Sequence, residues 1–458
     1  MRQGGMEMEL DMTKGSPARL IASFLIPTVI GNVFQQLYNM VDTIIVGQYL
    51  GNQALAAVGA TGTIMFLILG FMQGLTAGFT VLTSQRFGAG DMDAMKKSVG
   101  MAAILSVAAT VIMTTVSVAG MDGLLRLMQT PEDIFLMSKS YILIICGGMC
   151  CTVLYNLLAS ILRAVGNSKV PLYFLILAAC TNIALDLLFI IKFGMGVEGA
   201  AWATVVSQGV SGLLCLIYMA FKVPVLKLSG EHYRPDFHVM SIEMKIGIPM
   251  ALQFSITAVG TILVQAVLNT FGSTIVAAYT AATKVEQLVT QPYAAMGMTM
   301  ATYSGQNCGI GDYDRIRQGA KTALVMSTIY SVIIFIVIMV LQPYLIKLFV
   351  SENFDQINNY ARIYLFVCGL CFTFLGMIFI YRNVLQGCGY ALMPTMGGVV
   401  ELLCRAVIAA VAAGFSSYAG VCSANGITWL VTGIFLWIAY MVIFRRLPRG
   451  EISQRSDR

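Results

Sequence analysis

Apolar runs of about 20 residues follow one another along nearly the whole chain, each long enough to cross a hydrocarbon core of about 30 Å. That succession constrains the fold more than any motif does. The chain is 58% hydrophobic and 11% charged, whereas soluble domains run at about a quarter charged. Its 458 residues leave room for roughly two or three globular domains, yet no stretch reads as one. The pattern predicts an all-α polytopic membrane protein of about twelve spans, roughly residues 18–46, 54–84, 98–120, 137–162, 170–191, 199–221, 246–270, 275–303, 320–345, 360–385, 393–414 and 422–444. The first 17 residues carry Glu7, Glu9 and Asp11, which excludes a cleavable secretory signal.

Lysine and arginine set the expected orientation. With the amino terminus in the cytoplasm, 21 of the 28 fall on the cytoplasmic side, Arg382 counted with the last cytoplasmic loop. Five (Arg126, Lys139, Lys192, Lys347 and Arg362) fall outside, and Lys284 and Arg405 lie within spans. Both termini are expected on the cytoplasmic side of the membrane. The net charge of +6 follows from this bias and does not call for a nucleic-acid partner. The eleven Cys have no metal or disulfide spacing, and most sit within spans, where Cys is a small apolar residue. His232 and His238 stand in the most polar loop with no neighbouring ligand, so no metal site is expected there.

The chain also repeats itself. SQRFGAGDMDAMKKSV (84–99) is matched by SGQNCGIGDYDRIRQGA (304–320): Gln85, Gly88, Gly90, Asp91 and Asp93 stand 221 residues before Gln306, Gly309, Gly311, Asp312 and Asp314. Pro27 pairs with Pro249, LRAVGNSKVP (162–171) with LQGCGYALMP (385–394), and MGVEGAAWA (195–203) with AGVCSANGI (419–427). The expected organisation is a cytoplasmic tail (1–17), an amino-terminal six-helix lobe (18–221), a cytoplasmic linker (222–245), a carboxyl-terminal six-helix lobe (246–444) and a second tail (445–458). Parallel repeats of this kind mark a class of secondary transporters. The Gly-Asp loops lack the GK[ST] of a phosphate loop. They read as tight turns in which Asp91 and Asp312 cap the helices that follow. No ATPase signature is present, so transport would run on an ion gradient.

Asp42 interrupts YNMVDTIIVG, where a carboxylate costs roughly 2.5–3.5 kcal/mol. At about 1.5 Å rise per residue, Asp42, Asn182, Asp186 and Thr204 fall at one depth, on three spans of one half. Two carboxylates, an amide oxygen and a hydroxyl suit a hard cation, and paired carboxylates raise each other's proton affinity. The expected occupant is Na+ or H+, with no other metal and no cofactor. Gln35, Gln36, Tyr38 and Asn39 precede Asp42 and are expected to face the lobe interior. Glu286, Gln287 and Gln291 on the eighth span are candidates to line a substrate cavity. Glu401 and Arg405, four residues apart with the acid first, read as a structural ion pair. The 29 Met and 24 Phe are core or lipid-facing by default.

These motifs together (Pro27 with YNMVDTIIVG, SQRFGAGD, LRAVGN, NIALDLLFI and GVEGAAWAT) resemble those of the bacterial multidrug and toxic compound extrusion (MATE) transporters over nearly the full chain. The resemblance implies a V-shaped, pseudo-two-fold pair of six-helix bundles that exports bulky lipophilic or cationic compounds in exchange for H+ or Na+. It further implies a cation site at Asp42, Asn182, Asp186 and Thr204. Some members also carry a coupling acid on the seventh helix; the seventh span here, GIPMALQFSITAVGTILVQAVLN, has none. The expected function is therefore a monomeric secondary antiporter for small organic substrates, not an enzyme. The alternative, a lipid-linked precursor flippase, calls for several intramembrane cations, and only Lys284 and Arg405 are counted.

Overall fold

Gly51 shows how the chain turns one apolar run into two crossings. The first helix, α1 (Pro17–Gly88), is broken there by a backbone at φ 82°, ψ −176°, which only glycine adopts freely. One repeat later Gly272 (φ 92°, ψ 163°) breaks the chain between α7 (Phe237–Leu268) and α8 (Ser273–Gly309) in the same way. The computed structural model describes residues 10–128, 130–347, 354–415 and 417–448. Residues 1–9 and 449–458 of the expected tails lie outside the described residues.

Between these come α2 (Met92–Leu127), α3 (Glu132–Gly147), α4 (Met149–Ala164), α5 (Lys169–Asp186) and α6 (Gly196–Lys222). After α8 follow α9 (Tyr313–Lys347), α10 (Phe354–Leu370), α11 (Phe372–Gly387), α12 (Leu392–Gly414) and α13 (Tyr418–Arg445). No β-strand occurs among the described residues. The fourth and tenth expected spans are bent pairs: α3 and α4 meet at 47°, α10 and α11 at 49°. Counting each pair as one span, eleven spans among the described residues are long and apolar enough to cross a membrane. The remaining expected span is α8, helical throughout; its Lys284, Glu286, Gln287 and Gln291 lower its apolarity.

The repeat extends to the turns. Gly90 (φ 75°) and Gly311 (φ 73°) make the two Gly-Asp turns. The Asp91 carboxylate accepts from the Ala94 N–H at 3.1 Å, and Asp312 accepts from the Arg315 N–H at 2.9 Å. Both aspartates thus satisfy a first-turn donor that the helix itself leaves unpaired.

Contacts divide the chain into two units. Unit 1 comprises residues 26–255 together with 10–12, and its core runs through Ile68, Met72, Met95, Cys146, Met149 and Leu158. Unit 2 comprises residues 256–448 together with 13–25. The boundary is interleaved rather than cut at the expected linker: α1 changes unit after Leu25, and α7 after Ser255. The linker itself belongs to unit 1, where Lys97 donates to the carbonyls of Arg234 (2.6 Å) and Glu231 (3.4 Å). Gly100 lets it approach α2, because a Cβ there would stand 2.2 Å from the His232 carbonyl oxygen.

Candidate functional site

The four polar residues expected at one depth come together in unit 1. Asp186 is the last residue of α5, where the backbone widens into a π-turn over Leu187–Lys192. Such turns are rare and concentrate at functional positions. Asn182, one helical turn earlier, and Asp186 are both fully buried. In the orientation that satisfies both ends, the Asn182 amide nitrogen donates to Asp186 Oδ2 at 3.0 Å and its oxygen accepts from the Thr204 backbone N–H at 3.3 Å. The side chain therefore ties α5 to α6. From α1, the Asp42 carboxyl comes within hydrogen-bonding reach of Asp186. Tyr38, one turn before Asp42, brings its hydroxyl to the Thr204 side chain. One oxygen on each carboxyl, Asp42 Oδ1 and Asp186 Oδ1, is buried with no partner.

Among the described residues no lysine or arginine enters this cluster, so two acids face each other with only neutral groups around them. Tyr141 of α3, 2% exposed, completes the surround and lies within electrostatic reach of both carboxyls. Sequence reasoning passed over it, because a tyrosine on an apolar helix face reads as core. Beneath the site Ile45, Val46, Ile190, Val197 and Ala201 form an apolar cluster. Water is excluded on that side, and electrostatic interactions among the carboxyls are correspondingly stronger.

The other candidates divide. Of the α1 residues, only Tyr38 joins the cluster. Gln36 is half-buried, while Gln35 and Asn39 are exposed. On α8 the Glu286 carboxylate accepts a short hydrogen bond from the Tyr364 hydroxyl, which in turn accepts from Asn425 Nδ2 at 2.9 Å. Gln287 is exposed, and Gln291 donates back to the Gln287 carbonyl at 2.9 Å. Glu286 is thus held by Tyr364 of α10, itself bonded to Asn425 of α13, within its own unit.

The Glu401–Arg405 pair is present, with Arg405 Nη1 3.6 Å from Glu401 Oε2. It is the looser half of a triad, since Arg382 makes a shorter contact to Glu401 Oε1. Arg382 is not a loop residue: it lies on α11 and is 7% exposed. The apolar run ends near it, and hydropathy alone assigns a terminal cation to the loop. Gly260 leaves the room that Arg405 needs, as a Cβ there would stand 3.2 Å from Nη1.

The profile of the MatE family matches the chain twice, over residues 27–188 and again over 249–411. The chain belongs to the MatE family. Both matches open at the paired prolines, Pro27 and Pro249. This MatE chain is 29% identical over 379 residues to the probable multidrug resistance protein YpnP of Bacillus subtilis, covering 83% of this chain and 84% of that one. It is 24% identical over 430 residues to a FAD transporter of Shewanella oneidensis, covering 91% and 92%. Among solved structures, a MOP superfamily transporter from Pyrococcus furiosus matches with a TM-score of 0.91 at 22% identity, over 98% of this chain and 100% of that one. The MATE resemblance of the motifs, and the all-α multi-pass fold, are therefore established for this MatE chain.

Proposed function

We propose that this MatE protein is a secondary antiporter that exports lipophilic or cationic organic compounds while a cation enters through Asp42 and Asp186. The observation that carries the reading is the pair of orphaned carboxyl oxygens in a buried cluster without a basic residue. Two ionised carboxylates at this range repel, and one shared cation removes the repulsion. Asp186 already receives the Asn182 N–H on Oδ2, so its remaining oxygen and that of Asp42 are the two that a single proton satisfies. Sodium would need the Asn182 amide turned, so that its oxygen joined those of Asp42, Asp186 and Thr204.

When the pair is neutralised, Tyr38, Asp42 and the π-turn after Asp186 can draw together. When it is charged, repulsion separates α1 from α5. Pro27, which removes one hydrogen bond from α1, gives that helix a place to yield. Both termini lie in the cytoplasm in this reading, as the lysine and arginine bias requires. The cargo class follows the relatives named for multidrug resistance. A polyphosphate-bearing cargo is disfavoured by the triad: Arg382 and Arg405 are both engaged by Glu401.

Efflux of a fluorescent lipophilic cation from proteoliposomes tests this. A pH gradient is expected to drive transport in the wild type and to fail in Asp42→Asn and Asp186→Asn. Transport driven by sodium alone would replace the proton with sodium at the same residues. Gradient-driven transport that persists in both variants would overturn the assignment.

A further inference from the structure

Glu243 stands in α7 within the part that packs in unit 1. Sequence reasoning placed it in the linker, but the helix begins at Phe237. It is fully buried, and neither carboxyl oxygen has a hydrogen-bond partner. No lysine, arginine or histidine among the described residues forms an ion pair with it.

Its place is set by a close helix crossing. A Cβ on Gly78 would stand 2.4 Å from the Gly247 Cα, and one on Gly247 would stand 2.7 Å from Phe79 Cε1. Glu243 is one turn before Gly247 on the same face of α7, the face that meets α1 at this crossing. The repeat supplies an internal control. Pro249 corresponds to Pro27, which aligns Glu243 with Ile21, also fully buried. An aliphatic side chain fills the equivalent position in the other half, so helix packing does not require a carboxyl there.

Next to this position is a polar cavity of about 560 Å³. Val239 and Ile242, four residues and one residue before Glu243 on α7, line it together with Leu82 and Arg86 of α1. Its other charged groups are largely engaged elsewhere. Lys97 holds linker carbonyls, His232 holds Asp93 at 3.1 Å, and Asp91 and Asp236 cap α2 and α7. Arg86, Glu231, Arg234 and His238 complete the lining, and none of them bonds to Glu243.

An isolated carboxylate without partner or water is strongly disfavoured in a protein interior, and such a group takes up a proton instead. We propose that Glu243 is a proton-binding site separate from the Asp42–Asp186 cluster. It is protonated while α7 lies against α1, and it exchanges its proton through the neighbouring cavity when that crossing opens. Closure of the crossing then binds a proton and is favoured as pH falls. This holds whichever ion the Asp42 cluster takes.

Infrared difference spectroscopy in an Asp42→Asn, Asp186→Asn background tests it without relying on transport. The protonated-carboxyl band is expected at neutral pH and is expected to vanish in Glu243→Gln. Glu243→Ile, which installs the residue of the other repeat, is a second folded control and should lack the same band. Amide hydrogen exchange at Gly247–Ala251, corrected for the intrinsic rate, should slow as pH falls with Glu243 and lose that dependence with Gln. A Glu243 band that titrates in the ordinary carboxylate range of about 4, or spectra identical with and without Glu243, would overturn the proposal.

Discussion

The two units carry buried charge in opposite ways. Unit 1 places Asp42 and Asp186 together with only amide, hydroxyl and phenol groups around them, and leaves an oxygen of each unpartnered. Unit 2 encloses Glu401 between Arg382 and Arg405, and gives Glu286 the Tyr364 hydroxyl. One arrangement sets two acids together with no basic side chain among the described residues beside them; the other encloses its acid between two guanidinium groups. The contrast teaches that duplicated halves need not duplicate their chemistry. In the proposed reading, the same six-span plan serves as an exchange site in one half and as a fixed polar network in the other.

The largest effect that would sharpen this comparison is at Glu401. Glu401→Gln leaves two buried guanidinium groups facing each other, and breaking a buried pair costs about 3–5 kcal/mol. Thermal unfolding in detergent should show that loss, whereas Asp186→Asn should leave the midpoint unchanged or raised, because it removes repulsion. Equal losses in both variants would break the comparison. A smaller effect is expected at Tyr364→Phe, which strips Glu286 and Asn425 of their shared partner. That should cost about 1–3 kcal/mol, read by the same unfolding measurement. The smallest belongs to the exposed pair on unit 1, Lys139 with Asp122 at 2.8 Å. Asp122→Asn should change stability by less than about 1 kcal/mol, and should become indistinguishable from the wild type in high salt. A larger or salt-insensitive loss would show that unit 1 depends on ion pairing after all.

Much of the candidate site was legible from residue order. Asp42, Asn182, Asp186 and Thr204 share a depth because rise per residue is constant in a helix, and the structure joins Asn182 to both Asp186 and Thr204. The Gly-Asp turns were legible for a similar reason, since a cap is settled within four residues. Arg382 and Glu243 were not. Each stands where an apolar run gives way to polar sequence, and hydropathy assigns both to loops. Their burial depends on α12 in one case and α1 in the other. Tyr141 escaped because its role depends on carboxyls contributed by α1 and α5.

The sequence by itself determined the spans, the duplication, the turns and the depth of each polar residue. These follow from hydropathy, glycine conformation and helical rise, which are local properties. Only the tertiary structure decided which buried charges are matched and which are not. It paired Arg382 with Glu401, widened the backbone after Asp186 into a π-turn, and left Glu243 alone. Desolvation and pairing depend on atoms brought in from distant segments, and no window of residues contains them.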